Sequence, residues 1–332
     1  MINLVIQSFG REHEYRRAVL TILSFYAHVS KPLPETRVIL FTDRPDYLEP
    51  FLTGLPVHYR LLTSDKIRAM RGEIDFLHRM KIAVIEESFS IAGGNLLYVD
   101  SDTFFIADPA PKMALLSDQA SFMHLREYSF DTLREAVLPA GESFLAVYSL
   151  ITNQSFRLAD GSPVSITPAQ YSWNAGVMFL HHSVAGLVSD VYALTDQLYP
   201  ATQNHASEQY AFSVILQNRM TLNACDDVVY HYWYRIKKHI IDAFLIKRLT
   251  LSWSVLPLNT KLEEVRRWTS SFPRYLDEHV FTLRDDAVQY FNTDEFGKGF
   301  RAALRAFFKD PFSVTFIKDV LYHTRRFTCR KK

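Results

Sequence analysis

Apolar positions in the first hundred residues switch repeatedly between two spacings. Residues 2–9 form a short β-rich run that stops at Gly10. Residues 12–28 then carry Tyr15, Val19, Ile22, Leu23 and Tyr26 near the spacing of a helix face. A second compact run, 37–41, is closed by Thr42-Asp43 and the turn-prone Arg44-Pro45, and 57–62 predicts a third strand. Residues 63–71 and 76–91 predict helices, with Gly93-Gly94 as terminator. A fourth apolar run, 95–105, turns acidic midway at Asp100 and Asp102. Strands alternating with helices over this length predict a parallel, doubly wound sheet. In such sheets ligands bind beyond the carboxyl ends of the strands. That rule gathers Gln7, Ser8, Thr42, Asp43, Asp100 and Asp102 on one rim.

Farther along, the alternation loosens. Residues 120–125 and 174–182 predict strands around a Pro- and Ser-rich loop, 183–198 and 207–217 predict helices, and 228–233 a short strand. From about residue 260 the pattern is helical, with Arg, Phe and Leu mixed. The expected organisation is an α/β domain over 1–250 and a basic, aromatic helical region over 251–332. No internal repeat or low-complexity linker interrupts it.

Composition narrows the class. In 332 residues, 48% hydrophobic and 22% charged is the profile of a soluble globular chain. Thirty-seven basic residues nearly cancel 36 acidic ones, which gives no global reason to expect a nucleic-acid partner. Cys225 and Cys329 stand far apart without a partner motif, against a disulfide framework or Cys-based zinc site and in favour of a reducing compartment. The first apolar run lacks the basic start and the length of a signal peptide. No stretch approaches the roughly 18–20 apolar residues of a membrane-spanning helix. A cytoplasmic protein is expected.

The strongest local chemistry is Leu96-Leu97-Tyr98-Val99-Asp100-Ser101-Asp102. Strand alternation would aim both carboxylates to one side, where like charges repel. A divalent cation removes that conflict, because Mg²⁺ or Mn²⁺ takes hard oxygen ligands and is commonly completed by substrate phosphates. The plain alternative is one Asp capping the following turn and the other solvated.

An apolar strand, Asp-X-Asp and a following Asp-Pro resemble the signature of GT-A glycosyltransferases. The closer resemblance is to glycosyltransferase family 8, the retaining group that includes glycogenin and bacterial lipopolysaccharide galactosyl- and glucosyltransferases. It spans roughly residues 1–240 in element order. It implies a GT-A fold (a Rossmann-like mixed sheet with helices on both faces), Mn²⁺ or Mg²⁺, and a nucleotide-sugar donor, UDP-linked first. The acceptor would be a glycan or lipid-linked molecule. The family's basic residue before the acidic pair falls on Arg79, with Lys81 as the second choice; a solvated helix face is the alternative. Its Asn-Ala-Gly segment, close to the sugar, matches Asn174-Ala175-Gly176. Its Asp-Gln-Asp segment matches Ser207-Glu208-Gln209, which implies Glu208 on a sugar and Gln209 beneath the anomeric carbon. A helix-capping box is the alternative there. Its third metal ligand and diphosphate lysine match His231 and Lys237, six residues apart. Tyr234 replaces the Gly that the family places between them. Gln7 and Ser8 are expected at the base or ribose, with Asp43 nearby.

Rival readings share parts of this pattern. A haloacid-dehalogenase-type phosphatase wants Thr or Val where Phe104 stands, and wants the acids on its first strand. A nucleotidyltransferase wants a Gly-rich basic loop after strand one, which Gly10-Arg11 imitates poorly. A non-enzymatic GT-A-like binding protein would keep the fold alone. Residues 296–332 hold ten basic residues (Lys298, Arg301, Arg305, Lys309, Lys318, Arg325, Arg326, Arg330, Lys331 and Lys332) against Asp310 and Asp319, with Phe interleaved. That mixture predicts either peripheral contact with the inner face of a membrane or a helical cap whose aromatics enter a core.

Overall fold

β1 (Ile2–Ser8), β2 (Thr36–Thr42), β3 (Val57–Leu61) and β4 (Leu96–Val99) run parallel. The computed structural model describes residues 1–136 and 141–330, the side chains of Pro34, Cys329 and Arg330 excepted. β1, β2 and β4 are apolar on both faces because both faces are covered, the pattern of a central parallel strand. Val5, Ile39, Phe41, Leu96 and Tyr98 share a core with Met80, Ile82, Val84 and Ile85 of the helix Arg79–Ala92. Their strand neighbours Leu4, Ile6, Val38, Leu40, Leu97 and Val99 face the other way and are equally buried. The helix Glu12–His28 also packs on β1 and contributes nothing to the first core, which places it on the second face.

The sheet continues with β5 (Thr103–Phe105) set aside, through β6 (Ala120–Met123), then β7 (Arg126–Ser129) outside it. A two-residue ladder joins β8 (Phe156–Arg157) to β9 (Pro163–Val164), and β10 (Tyr171–Trp173) pairs with β7. β11 (Val177–Leu180) and β12 (Thr221–Ala224) complete seven strands in the order β12-β6-β11-β4-β1-β2-β3. Only β11 opposes its neighbours in direction. Its start therefore meets the end of β4, with Val177 opposite Val99. The alternation predicts a parallel sheet, and β11 makes it mixed, as the GT-A resemblance implies.

Contacts divide the chain into two compact units, Met1–His231 with Leu249–Arg266, and Tyr232–Arg248 with Arg267–Lys332. The first holds the sheet. The second is helical, with Arg235–Arg248, Val280–Asn292, Phe296–Lys309 and Val314–Arg330. Its core joins Leu283, Ala287, Phe291, Phe296, Ala302, Ala303, Ala306 and Phe316. Gly299 lets two of these helices close, since a Cβ there would strike the Phe291 ring. Among the described residues no helix is long and apolar enough to cross a membrane.

Two stretches differ from the sequence pattern. The expected loop between residues 125 and 174 contains β7, β10, a 3-10 turn at Phe130–Glu135 and the helix Glu142–Asn153. That helix buries only Val147 and Ile151 fully, too narrow a stripe to stand out by periodicity. Helical structure after the sheet also begins at Arg235, well before residue 260, in a segment whose charges mask its apolar face.

Candidate metal and donor site

β4 ends at Val99, and the chain turns through Asp100, Ser101 and Asp102 before β5. The Asp100 amide donates to the Gly176 carbonyl at 2.8 Å, and Thr103 Oγ1 donates to the Asp100 carbonyl at 2.9 Å. Buried Thr21 of the first helix lies 2.9 and 2.8 Å from the Ser101 and Thr103 carbonyls, and Ser101 donates to Glu14 at 2.7 Å. The two acids thus converge through a braced turn and not through strand alternation. Asp102 is buried, with Oδ1 3.4 Å from His231 Nε2. One ligand atom from each of Asp100, Asp102 and His231 lies within 4.8 Å of the others.

The position of His231 follows from the topology. β13 (Val229–His231) pairs antiparallel with β5, which sets His231 opposite Thr103, next to Asp102. Gly176 leaves room for the ring, because a methyl group there would collide with the imidazole. Asn174 orients it. Its Oδ1 accepts from the Gly176 amide at 3.0 Å and faces His231 Nδ1 at 2.9 Å, while Nδ2 donates to Glu127 Oε1 at 3.0 Å. The Glu127 carboxylate can only accept, so the amide cannot be reversed and His231 Nδ1 must donate. In the neutral imidazole Nε2 keeps its lone pair on the Asp102 side, the arrangement of a metal ligand held by an outer partner. Buried His124 lies edge-on to His231 at 5.4 Å, and its Nε2 sits 3.1 Å from the Val229 carbonyl. Burial, and then the neighbouring His231, push His124 down to about 3, so it stays neutral and ties β13 in place. Asn174→Ala should lower divalent-ion affinity by about 10- to 100-fold, read by Mn²⁺ titration under paramagnetic resonance. An affinity within about twofold of wild type would remove Asn174 from this role.

A buried cation sits behind the acids. Lys81 Nζ lies 3.3 Å from Asp100 Oδ2, 3.3 Å from Glu208 Oε1 and 3.2 Å from the Ala175 carbonyl. Burial alone would push this amine down; the charges of Asp100 and Glu208 outweigh it and hold it above the ordinary lysine value. Tyr98 is wholly buried, donates to Asp100 Oδ1 at 2.7 Å and accepts from Gln7 Nε2 at 3.3 Å. Burial and then the Asp100 charge raise its phenol far above the usual range, so it remains a donor. Three acceptors in this neighbourhood, Glu208 Oε2, Gln7 Oε1 and Ser8 Oγ, are buried without a hydrogen-bond partner among the described residues. Orphaned acceptors at a strand rim suit a polar ligand that supplies hydroxyl groups.

The remaining expected residues have other partners. Gln209 Oε1 accepts from the Ala175 amide at 3.2 Å, while Nε2 donates to Glu127 Oε2 at 2.9 Å and Ser172 Oγ at 2.8 Å. Asp43 accepts from the Gly10 amide at 3.1 Å and from Tyr15 at 2.8 Å. Burial and that bond push Tyr15 up to about 12. Arg79 makes a two-pronged pair with Asp196 at 2.8 and 3.1 Å and lies over the Tyr192 ring, so Lys81, not Arg79, is the cation at Asp100. Lys237 belongs to the second unit, where Nζ pairs with Asp277 at 2.8 Å. Glu127 was absent from the sequence expectations, yet Asn174, Gln209 and Ser172 all donate to it.

The trio fits a divalent ion. Two carboxylate oxygens and an imidazole nitrogen gathered within 4.8 Å of one another are donor types that a divalent ion takes. Asp100 and Glu208 share the one Lys81 ammonium, and Asp102 faces the His231 ring nitrogen, so added positive charge suits the site.

No protein-family model matches the chain, and no curated protein matches it in sequence. Among solved structures it is similar to mouse xyloside xylosyltransferase 1 in its apo form, at 11% identity over 68% of this chain and 85% of that one, with a TM-score of 0.43. It is similar to the glycosyltransferase GlyE of Streptococcus pneumoniae TIGR4, at 12% identity over 82% of this chain and 64% of that one, TM-score 0.46. It is also similar to the galactosyltransferase LgtC in complex with donor and acceptor sugar analogues, at 10% identity over 78% and 99% of the two chains, TM-score 0.47. Likenesses at this level assign no residue roles, which follow from this chain's own side chains.

Proposed function

We propose that this chain is a metal-assisted glycosyltransferase of the GT-A type, moving a sugar from a nucleotide-diphosphate donor, UDP-linked first, to a glycan or lipid-linked acceptor. The observation that carries this reading is the convergence of Asp100, Asp102 and His231 at the carboxyl-end rim of the parallel strands. Two carboxylates with one imidazole suit Mn²⁺ better than an all-oxygen set would, with Mg²⁺ as the second choice. Bound there, the ion would neutralise the diphosphate as it leaves the sugar.

The chain's own groups supply the rest. Asp100, Asp102 and His231 would hold the ion. Lys81 fixes Asp100 and Glu208 in place, and the orphaned Glu208 Oε2 would accept a sugar hydroxyl. Gln7 and Ser8 offer their free acceptors to the ribose or base. Glu127, steadied by Asn174 and Gln209, would place negative charge near the oxocarbenium-like anomeric carbon. Retention of configuration follows from the resemblance to family 8 and is part of the same proposal. The test is release of UDP from a panel of UDP-sugars with Mn²⁺ present. Release from at least one sugar, abolished by EDTA, supports the reading; release that ignores EDTA overturns its metal component, and no release from any UDP-sugar overturns its donor class.

A further inference from the structure

The helices Phe296–Lys309 and Val314–Arg330 resolve the two fates open to the C-terminal aromatics by splitting them. Phe296 and Phe316 enter the core of the helical unit, with Phe300, Phe307 and Phe327 packed against it. Phe308 and Phe312 do the opposite: they are 82% and 86% exposed, with Val314 and Leu304 also largely exposed. Large side chains this bare are uncommon on a soluble surface, and here they cluster at one turn between two helices.

That turn is built, not loose. Asp310 accepts from Arg284 at 2.7 Å and from the Phe312 amide at 3.2 Å, and Arg284 also donates to the Asp310 carbonyl at 3.2 Å. These bonds hold the turn with its two rings outward. The Arg284 bond also neutralises the one acid between the two phenylalanines, and it holds the Asp310 carboxyl below the usual range. The outer face of the first helix carries Arg301, Leu304, Arg305, Phe308 and Lys309, opposite the buried stripe of Ala302, Ala303 and Ala306. Arg301 and Arg305 are exposed and make no ion pair among the described residues; Lys318 continues the basic surface on the second helix. Lys331 and Lys332 lie outside the described residues.

We propose that this turn and the adjoining face of Phe296–Lys309 form a docking surface for an anionic lipid bilayer. Phe308 and Phe312 enter the headgroup boundary, and Arg301, Arg305 and Lys309 meet the lipid charges. Apolar rings beside exposed cations are the chemistry such a surface selects, and the two contributions reinforce each other. Lys309 also stands 4.0 Å from Glu278, a long and exposed pair that leaves it open to lipid charge. The inference stands apart from the proposed transfer activity and survives or fails without it.

The test is sedimentation of the full chain with vesicles of phosphatidylcholine alone or mixed with phosphatidylglycerol. The chain should pellet with the anionic vesicles, stay in solution with the neutral ones, and be released as salt rises. F308S/F312S and, separately, R301E/R305E should each weaken binding by at least about tenfold. Both pairs are exposed, so the thermal melt should not move. Equal binding to both vesicle types, wild-type binding by F308S/F312S, or no pelleting at all would overturn the proposal. So would self-association abolished by F308S/F312S without any vesicle binding, which would assign the turn to a second copy of the chain.

Discussion

Asp102→Asn should lower Mn²⁺ affinity by about 10³-fold, the largest functional effect expected of any single substitution in this chain. The side chain is buried, lies 3.4 Å from His231 Nε2, and completes the trio with Asp100. Asparagine keeps its shape and one oxygen but removes the charge that a divalent ion needs most. Losing several kcal/mol of ion–carboxylate attraction in a site shielded from water corresponds to that factor. Paramagnetic resonance of free Mn²⁺ during titration reads the affinity directly, without any sugar or acceptor. The melting temperature without metal should change little, because the isosteric side chain still faces His231. An affinity within about threefold of wild type would mean that the ion is held elsewhere or not at all.

Lys81→Met should be the most damaging substitution for stability, at about 3 kcal/mol. Its ammonium is buried between Asp100 and Glu208, 3.3 Å from each. Breaking a buried ion pair by removing one partner costs about 3–5 kcal/mol, since the other charge is left unpaired in a poor solvent. Part of that is relieved here because the Asp100 side chain retains 25% exposure, which favours the low end. The thermal midpoint should fall by about 5 °C or more. Adding Glu208→Met to Lys81→Met should recover part of the loss, because apolar replacement of a whole buried pair is close to neutral. If Lys81→Met melts with wild type, the ammonium does not hold the two carboxylates together.

Much of the first hundred residues was legible because a parallel sheet buried on both faces writes itself as compact apolar runs between amphipathic helices. The Asp-X-Asp pair and His231 were legible as residue types. Their grouping as metal ligands was expected from the family resemblance and not from the pattern of residues, because it depends on β11 running against its neighbours and on the short β5–β13 ladder. Tyr98 could have been found: it precedes Asp100 by two on a buried strand, and a buried phenol seeks a partner. Glu127 could not, since it lies in a segment that reads as loop and becomes meaningful only when Asn174, Ser172 and Gln209 arrive from three distant stretches. Arg79 and Lys81 differ by two positions on one helix, and only the fold shows which of them turns toward Asp100.

The most direct test of the central claim is calorimetric titration of UDP into the wild-type chain, once with Mn²⁺ and once with EDTA. If Asp100, Asp102 and His231 hold an ion that grips a donor diphosphate, UDP should bind with Mn²⁺ present and at least about tenfold more weakly without it. UDP affinity that is the same in both conditions would contradict the claim, and so would a failure to bind UDP with the ion present.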